Sequence, residues 1–124
     1  MIIGIGIDIV RTERIEQIIV LHGERFINRV FTAGEREYCS GKTMKYESYA
    51  ARFSAKEALF KAFGRGWAEC GFTAVEVVSD NRGKPGIILH DSAKVIAEEL
   101  GVNRIFLSVT HDTGVSAAVV ILEG

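Results

Sequence analysis

The sequence has little that would crosslink the chain or hold it in a membrane. Its two cysteines, Cys39 and Cys70, lack the paired spacing of a zinc site and the density of a disulfide scaffold, so we interpret them as half-buried thiols in a reducing, cytoplasmic setting. No apolar run approaches the roughly 20 residues that a membrane helix needs. Met1 is followed by a strand-like run instead of a signal peptide, so we expect a soluble, unprocessed protein without membrane contact.

An excess of charge of either sign is also missing. Fifteen basic and sixteen acidic residues give a net charge of -1, which argues against nucleic-acid binding by phosphate neutralisation, although a local basic patch stays open. What the chain does have is 124 residues, 48% of them hydrophobic, which is enough for one domain (residues 1–124) with its own core. A core this small would gain burial from self-association.

The first part of the chain changes from a strand pattern to helical patterns. Residues 2–10 alternate isoleucines with mostly small or polar residues, which predicts a strand. A helical period begins at Thr12, the expected N-cap, and Gly23 should separate a second short helix from the first. Thr32 and Glu35 have capping-box spacing, so a third helix is expected at residues 33–39.

The second part predicts one long helix and two hairpins. The long helix runs over residues 46–63, after a loop at residues 40–45, and should end at Gly64. A helix from Asp91 or Ser92 to Leu100 separates the hairpins, whose strands are expected at 73–79 with 87–90, and at 104–110 with 115–122. This order predicts an α+β fold with a mainly antiparallel sheet, one long helix and several short ones. The last strand is apolar on both faces, which favours a subunit contact.

Asp8 is the first candidate site residue, because it interrupts an otherwise apolar strand. Its neighbours on the same face, Gly4 and Gly6, leave room around the carboxylate, and a buried carboxylate needs a partner. Spacing alone leaves two interpretations open: a structural aspartate bonded to Arg11 or to a helix N-terminus, or a metal ligand. The two glycines do not form a dinucleotide-binding motif, because the third glycine and the following helix are absent.

Charged residues on the long helix are the second group of candidates. Glu57 and Lys61 lie one turn apart, as do Arg52 and Lys56, and such pairs usually mark an exposed helix face. Large apolar residues flank Glu57 and Lys61, so we expect these two at the edge of the core. Magnesium sites for diphosphates use one or two carboxylates, which Asp8 and Glu57 could supply, and Lys61 could reach a phosphate.

Three separated blocks of this sequence resemble the holo-acyl-carrier-protein synthases, the small bacterial group of phosphopantetheinyl transferases. Their order and their spread across nearly the whole chain make the resemblance specific. One departure is Thr113-Gly114-Val115, where many relatives have an aromatic residue and an alanine soon after the histidine. The blocks are Gly4-Ile5-Gly6-Ile7-Asp8-Ile9-Val10 followed by Arg14-Ile15, Phe53-Ser54-Ala55-Lys56-Glu57-Ala58 continuing to Lys61 and Gly64, and Ser108-Val109-Thr110-His111-Asp112.

The resemblance implies a reaction and a catalytic site. The enzyme would move 4'-phosphopantetheine from coenzyme A to a serine of an acyl carrier protein and release adenosine 3',5'-bisphosphate. Asp8 and Glu57 would bind Mg2+ and Lys61 would contact a coenzyme A phosphate, which makes these three the expected catalytic residues. The general base stays open between Glu57 and a metal-bound water oriented by Asp8.

The resemblance also implies partners. The family forms trimers with coenzyme A in a cleft between subunits, and an acidic carrier protein would dock on Arg14, to which we add Arg25 and Arg29 by their position. A coenzyme-binding module without activity and a purely structural oligomer are the competing interpretations; the former would be expected to have lost a metal carboxylate. Alone, a histidine at a strand end is more often structural, but here the residues expected to bind the coenzyme are Lys61, Gly64, Gly83, Pro85, His111 and Arg52.

Overall fold

The computed structural model describes residues 1–124 as five strands, six α-helices and one 3-10 turn. The α+β class and the antiparallel pairing agree with the sequence-based prediction. No helix combines the length and the apolar character that crossing a membrane requires. In chain order the elements are β1 (Ile2–Arg11), α1 (Thr12–His22), α2 (Glu24–Val30), α3 (Ala33–Ser40), α4 (Lys45–Phe63), α5 (Trp67–Cys70), the 3-10 turn (Phe72–Ala74), β2 (Val75–Ser79), β3 (Pro85–Leu89), α6 (Asp91–Leu100), β4 (Arg104–Asp112) and β5 (Val115–Glu123).

The strands form two antiparallel sheets rather than one. The larger sheet has the order β1-β5-β4, with Asp8 opposite Ala118. The smaller sheet contains only β2 and β3, with Ser79 opposite Pro85. The second hairpin turn is tight, because His111 and Asp112 belong to β4 and only Thr113 and Gly114 connect it to β5.

Helix α4 packs directly on β1, and two glycines allow this. A Cβ atom built on Gly6 would lie 2.7 Å from the Ala62 amide nitrogen and closer still to the Ala58 carbonyl oxygen, and one built on Gly4 would overlap the Ala62 carbonyl oxygen. Both distances are shorter than real Cβ contacts. Gly4 and Gly6 therefore let α4 approach β1, the strand that carries Asp8.

The outer face of the larger sheet is apolar along β1 and β5, whereas β4 presents mostly polar residues there, among them Arg104, Ser108 and Thr110. On β1, the isoleucines at 5, 7 and 9 are 59%, 65% and 68% exposed, because only the opposite face of the strand is covered by α4. On β5, the buried residues alternate with partly exposed ones. One chain thus buries one face of the last strand, and the other face, also mostly apolar, is only partly covered.

Helix boundaries were predicted well where the signal was local. The capping box of Thr32 and Glu35 is present with both of its hydrogen bonds, and Gly64 ends α4 with a left-handed backbone (φ 71°). The prediction that Thr12 caps α1 is wrong: β1 continues through Arg11, whose extended backbone occupies the N-cap position. His90 likewise occupies the N-cap position of α6, so neither Asp91 nor Ser92 is the cap.

The interpretation of Arg52 and Lys56 as part of an exposed helix face is wrong. Both side chains are buried, and the Lys56 ammonium lies 2.6 Å from the Glu35 carboxylate. Helix α4 is covered on one side by the larger sheet and on others by α1, α3 and β2, so little of it faces solvent. An i, i+4 pair of charges does not by itself reveal this burial.

Candidate active site

The carboxylate of Asp8 is paired with Lys61 across the β1–α4 contact. The Lys61 ammonium donates to Asp8 Oδ1 at 3.1 Å and to the Ile7 carbonyl at 3.0 Å. The Asp8 side chain is largely covered, whereas the Lys61 side chain is 55% exposed. From the sequence alone, Arg11 or a helix N-terminus was the expected structural partner of Asp8. The structure brings Lys61 to it instead, and the ammonium is still accessible from solvent.

Glu57 supplies a second carboxylate near Asp8 and Lys61. It is half-buried on α4, one turn before Lys61. Burial raises the pKa of Glu57, the negative charge of Asp8 raises it further, and the cations Lys61 and Arg14 only partly oppose this. Each carboxylate therefore acts on the other electrostatically, and charge repulsion between them is only partly neutralised.

This pair of carboxylates fits a hard divalent cation. The protein has no cluster of three or more His, Cys, Asp or Glu side chains that could hold a metal ion, so two carboxylates are the largest set of ligands that it offers here. Mg2+ is commonly held in this way, by one or two carboxylates with water and substrate oxygens in the other positions. Burial and, after it, the charge of Asp8 raise the pKa of Glu57, and a cation bound there would relieve the repulsion between the two carboxylates.

A small cleft opens next to these residues at the C-terminal end of α4. Its volume is about 260 Å3, and Glu57, Lys61 and Gly64 contribute to its lining. The glycine has no side chain to narrow the cleft. Trp67, on the short helix α5, lines the same cleft and is 57% exposed. Trp67 was not among the residues that the sequence analysis selected, although it closely follows Gly64 and Gly66 after the long helix.

A larger cavity of about 540 Å3 gathers four other candidates: Arg52, Gly83, Pro85 and His111. They come from α4, from the β2–β3 connection and β3, and from β4. Residues far apart in sequence thus line one concave space. The ring of His111 also lies beside a carboxylate, with Nδ1 2.8 Å from Oε1 of Glu47.

The larger cavity contains a buried cation that an anion could neutralise, and the Glu47 carboxylate lines it as well. Arg52 is only 6% exposed, its Nε has no hydrogen-bond partner, and no carboxylate lies within 4 Å of it. Its guanidinium carbon lies 4.0 Å from the ring centroid of Tyr38, and the Lys42 ammonium lies 4.5 Å from the same centroid. A buried cation without a counter-charge is costly. An anionic ligand would supply that counter-charge.

Tyr38 and Lys42 were missed by sequence reasoning, because Lys42 lies in a loop without a motif and Tyr38 in a short helix. Burial raises the pKa of Tyr38, but its hydrogen bond with Ser79 and the nearby cations Lys42 and Arg52 outweigh burial, so the pKa lies below its ordinary value. The Ser79 hydrogen bond is the largest of the effects that lower this pKa, and the charges of Lys42 and Arg52 add to it.

The two cavities have no lining residue in common. Asp8, Glu57 and Lys61 come together at one end of α4, and Arg52, Gly83, Pro85 and His111 come together elsewhere. Gly64 belongs with the first group. The predicted site residues therefore form two separate groups in a single chain.

The three candidate docking arginines lie on the first two helices. Arg14 is on α1, and Arg25 and Arg29 are on α2. All three are exposed, and none has a carboxylate within 4 Å. Their guanidinium groups are therefore available to bind an acidic surface. Arg14 also acts electrostatically on Glu57, which links this basic surface to the carboxylate pair.

The two cysteines are fully buried rather than half-buried. Cys39 and Cys70 are 0% and 2% exposed. Burial raises the pKa of both thiols, that of Cys70 to about 11. Since the thiolate is the reactive form of cysteine, burial makes both thiols less reactive.

Comparison with known proteins identifies the family. A profile described as the 4'-phosphopantetheinyl transferase superfamily matches residues 4–120. The chain is 45% identical, over 99% of each sequence, to a holo-acyl-carrier-protein synthase of Solibacter usitatus. The crystal structure of such a synthase from Neisseria meningitidis matches with a TM-score of 0.93 and 32% identity over 100% of both chains. One from Bacillus anthracis, solved in complex with CoA (3',5'-ADP), matches with a TM-score of 0.81 and 36% identity over 98% of this chain and 96% of the other.

The profile spans nearly the whole chain, and the sequence identity extends over the full length of the relatives. The residues that carry the resemblance are also the ones that the fold brings together around α4. The chain belongs to the holo-acyl-carrier-protein synthases of the 4'-phosphopantetheinyl transferase superfamily.

Proposed function

We propose that this protein transfers the 4'-phosphopantetheine group of coenzyme A to a serine of an apo acyl carrier protein and releases adenosine 3',5'-bisphosphate. The observation that carries the proposal is the pairing of Asp8, Glu57 and Lys61 in a fold whose relatives are holo-acyl-carrier-protein synthases. Relatives from Bacillus anthracis and Helicobacter pylori have been solved with coenzyme A or its nucleotide. We take residues 1–124 to act as one domain.

The decisive experiment is mass spectrometry of an apo carrier protein incubated with this protein, coenzyme A and Mg2+. We expect the carrier to gain one phosphopantetheine group on its serine. A coenzyme-binding module without activity would bind coenzyme A and leave the carrier mass unchanged. A purely structural oligomer would do neither.

Asp8 and Glu57 are the residues that would hold Mg2+. The ion would neutralise the negative charge of the coenzyme A diphosphate and of the leaving group. Asp8 and Glu57 fit this role because the charge of Asp8 acts on Glu57 and because the one ammonium paired with Asp8, that of Lys61, belongs to an exposed side chain. Omitting Mg2+ or adding a chelator should stop transfer, which tests the assignment directly.

The chain's own residues do the rest of the chemistry. Lys61 can rotate from its hydrogen bond with Asp8 toward a phosphate oxygen, because its side chain is exposed. The serine oxygen attacks the β-phosphorus, the P–O bond to the nucleotide phosphate breaks, and the bisphosphate leaves with the electron pair. Two groups can accept the serine proton: the Glu57 carboxylate, or a water held by Asp8.

The larger cavity is where we place the nucleotide half of coenzyme A. Arg52 and Lys42 would neutralise phosphate charge, and His111 would contribute when protonated. Gly83 and Pro85 form the side of the cavity that lacks charge, where a planar base can lie. The support for this assignment is the buried guanidinium of Arg52, which has no carboxylate partner within the chain.

We further propose a trimer in which each site is shared by two subunits. Two observations support it. The outer face of the larger sheet is apolar along β1 and β5 and exposed on β1, as an interface core would be. The two cavities share no residue, so coenzyme A could span from the cleft of one chain to the cavity of its neighbour.

The carrier protein would dock on the surface formed by Arg14, Arg25 and Arg29. Acyl carrier proteins are acidic, and exposed arginines without partners steer such a protein to the site. Arg14 lies within electrostatic range of Glu57, so docking there would bring the serine near the carboxylate pair.

We also infer a cytoplasmic location, because both cysteines are free thiols, as is usual in a reducing compartment.

A further inference from the structure

The buried ion pair of Lys56 and Glu35 is the one salt bridge of the chain in which both side chains are fully inaccessible. The Lys56 ammonium also donates to two backbone carbonyls, Val30 at 2.7 Å and Phe72 at 3.1 Å. All three of its protons are thus used. Because apolar residues of similar size often give equal or better stability than a buried ion pair, the pair is better explained by what it holds in position.

Glu35 connects the helices to the smaller sheet. Its Oε1 accepts from the Thr32 amide at 2.8 Å as well as from Lys56, and its Oε2 accepts from the Val77 amide at 2.7 Å. Val77 lies on β2, which pairs with β3 on its other edge. The Glu35 carboxylate therefore satisfies one amide on the free edge of β2 and attaches the two-stranded sheet to α3 and α4.

The elements held by this pair are the walls of the larger cavity. Tyr38 belongs to α3, Arg52 lies on α4 one turn before Lys56, and Ser79 and Pro85 lie opposite each other on β2 and β3. A displacement of β2 would move Ser79 and Pro85 together, away from Arg52. Neither member of the ion pair lines the cavity itself.

We propose that Lys56 and Glu35 are positioning residues for the nucleotide half of coenzyme A. They fix the wall formed by the smaller sheet at the distance from Arg52 and Tyr38 that the nucleotide requires. This inference rests on the proposed function. Loss of the pair should weaken nucleotide binding and leave the phosphoryl transfer step nearly intact once coenzyme A is saturating.

The first test compares the variants Glu35→Gln and Lys56→Met with the unmodified protein. Calorimetry gives the Kd of adenosine 3',5'-bisphosphate, and steady-state assays give KM for coenzyme A and kcat. We expect Kd and KM to rise by about tenfold or more, with kcat changed less than about threefold, because the pair acts through position and does not touch the reacting atoms.

The matched control is Ile96→Ala on α6. Ile96 is buried but does not line the cavity, so this variant should lose thermal stability and keep the Kd of the unmodified protein. Wild-type Kd in a folded Glu35→Gln or Lys56→Met variant would overturn the proposal. So would an equal loss of affinity in Ile96→Ala, since it would show that lowered stability alone weakens binding.

A second measurement needs no variant. If opening of the pair abolishes binding, the ligand must suppress that opening by linkage, so adenosine 3',5'-bisphosphate at 100 times its Kd should slow hydrogen exchange of the Val77 amide by up to about a hundredfold. Unchanged exchange would overturn the proposal even if neither variant folds. A protein that does not bind the bisphosphate at all would instead contradict the proposed function.

Discussion

The substitution Gly6→Ala tests whether the close approach of α4 to β1 builds the active site. Gly6 is not one of the glycines with positive φ, so its backbone accepts an alanine. At an open position of this kind, alanine stabilises a protein by about 0.4–1 kcal/mol, because it restricts the unfolded chain. If α4 did not contact Gly6, the substitution Gly6→Ala would therefore be expected to raise the free energy of unfolding.

The structure reverses the sign of this effect. The new Cβ atom would lie 2.7 Å from the Ala62 amide nitrogen, where ordinary contacts start at 3.4 Å, and the Ala58 carbonyl oxygen is closer still. Both atoms are backbone and cannot rotate away. The nitrogen contact alone requires α4 to move by about 0.7 Å, and the closer Ala58 oxygen requires a larger movement. Overpacking of this kind costs about 1–3 kcal/mol.

The same displacement should reduce activity more than stability. Glu57 and Lys61 lie on α4 next to the two residues that would be displaced, so their distances from Asp8 would change. A misplacement of about 1 Å can lower a rate by about 100-fold. We expect a folded variant with a lower midpoint of urea unfolding and a transfer rate reduced by one to two orders of magnitude, roughly, measured at fixed protein concentration.

The matched control is Gly86→Ala on β3. A Cβ there would meet nothing within 4 Å, and its φ is not positive. This variant should be as stable as the unmodified protein or slightly more stable, with full activity. If Gly6→Ala were as stable and as active as Gly86→Ala, the argument that the glycine contact sets the site would be refuted.

Other predictions test the site, the docking surface and the trimer. Asp8→Ala or Glu57→Ala should abolish transfer with the fold intact, since each removes a carboxylate without leaving a large cavity; carrier mass and circular dichroism measure the two effects. Arg14→Glu should weaken carrier binding by roughly tenfold, equivalent to about 1.4 kcal/mol, and reduce its salt dependence, while coenzyme A binding changes less in calorimetry. Ile7→Lys should dissociate the trimer, seen by light scattering, because it puts a charge on the apolar outer face. Mixed trimers of Asp8→Ala and Arg52→Ala protomers should recover part of the activity, because some sites would then combine an intact carboxylate pair with an intact cavity.

Each of these predictions has an outcome that contradicts it. Full activity of Asp8→Ala or Glu57→Ala would contradict the assignment of these residues as metal ligands. Equal losses of carrier and coenzyme affinity in Arg14→Glu would argue against a separate docking surface. A fully active monomer in light scattering would exclude the trimer. If subunits exchange but no activity returns in the mixture, only the shared site is wrong.

The sequence by itself determined the local features of this fold. The capping box at Thr32 and the helix end at Gly64 depend on neighbouring residues and were predicted correctly. The alternation in β1 and the order of the elements were enough for the α+β class, because hydrophobic period and turn residues act over short distances. The resemblance of three blocks added the reaction, and with it the candidate roles of Asp8 and Glu57.

Only the tertiary structure decided which groups meet and which are buried. The charge pattern of Arg52 and Lys56 indicated an exposed helix face. Instead, Arg52 lines a cavity and has no carboxylate partner, and Lys56 forms a buried ion pair with Glu35. Residues without a motif, such as Tyr38 and Lys42, joined the cavity because α3 packs against α4 and β2. Burial and proximity depend on contacts between distant segments, which short-range patterns do not encode.

The two faces of β1 show the same division most clearly. The sequence established that isoleucines lie on one face and Gly4, Gly6 and Asp8 on the other. It did not establish which face the long helix covers, and the usual rule that large apolar residues face the core would have chosen the isoleucines. The structure packs α4 on the glycine face, because only there can helix backbone approach strand backbone closely enough to bring Lys61 to Asp8.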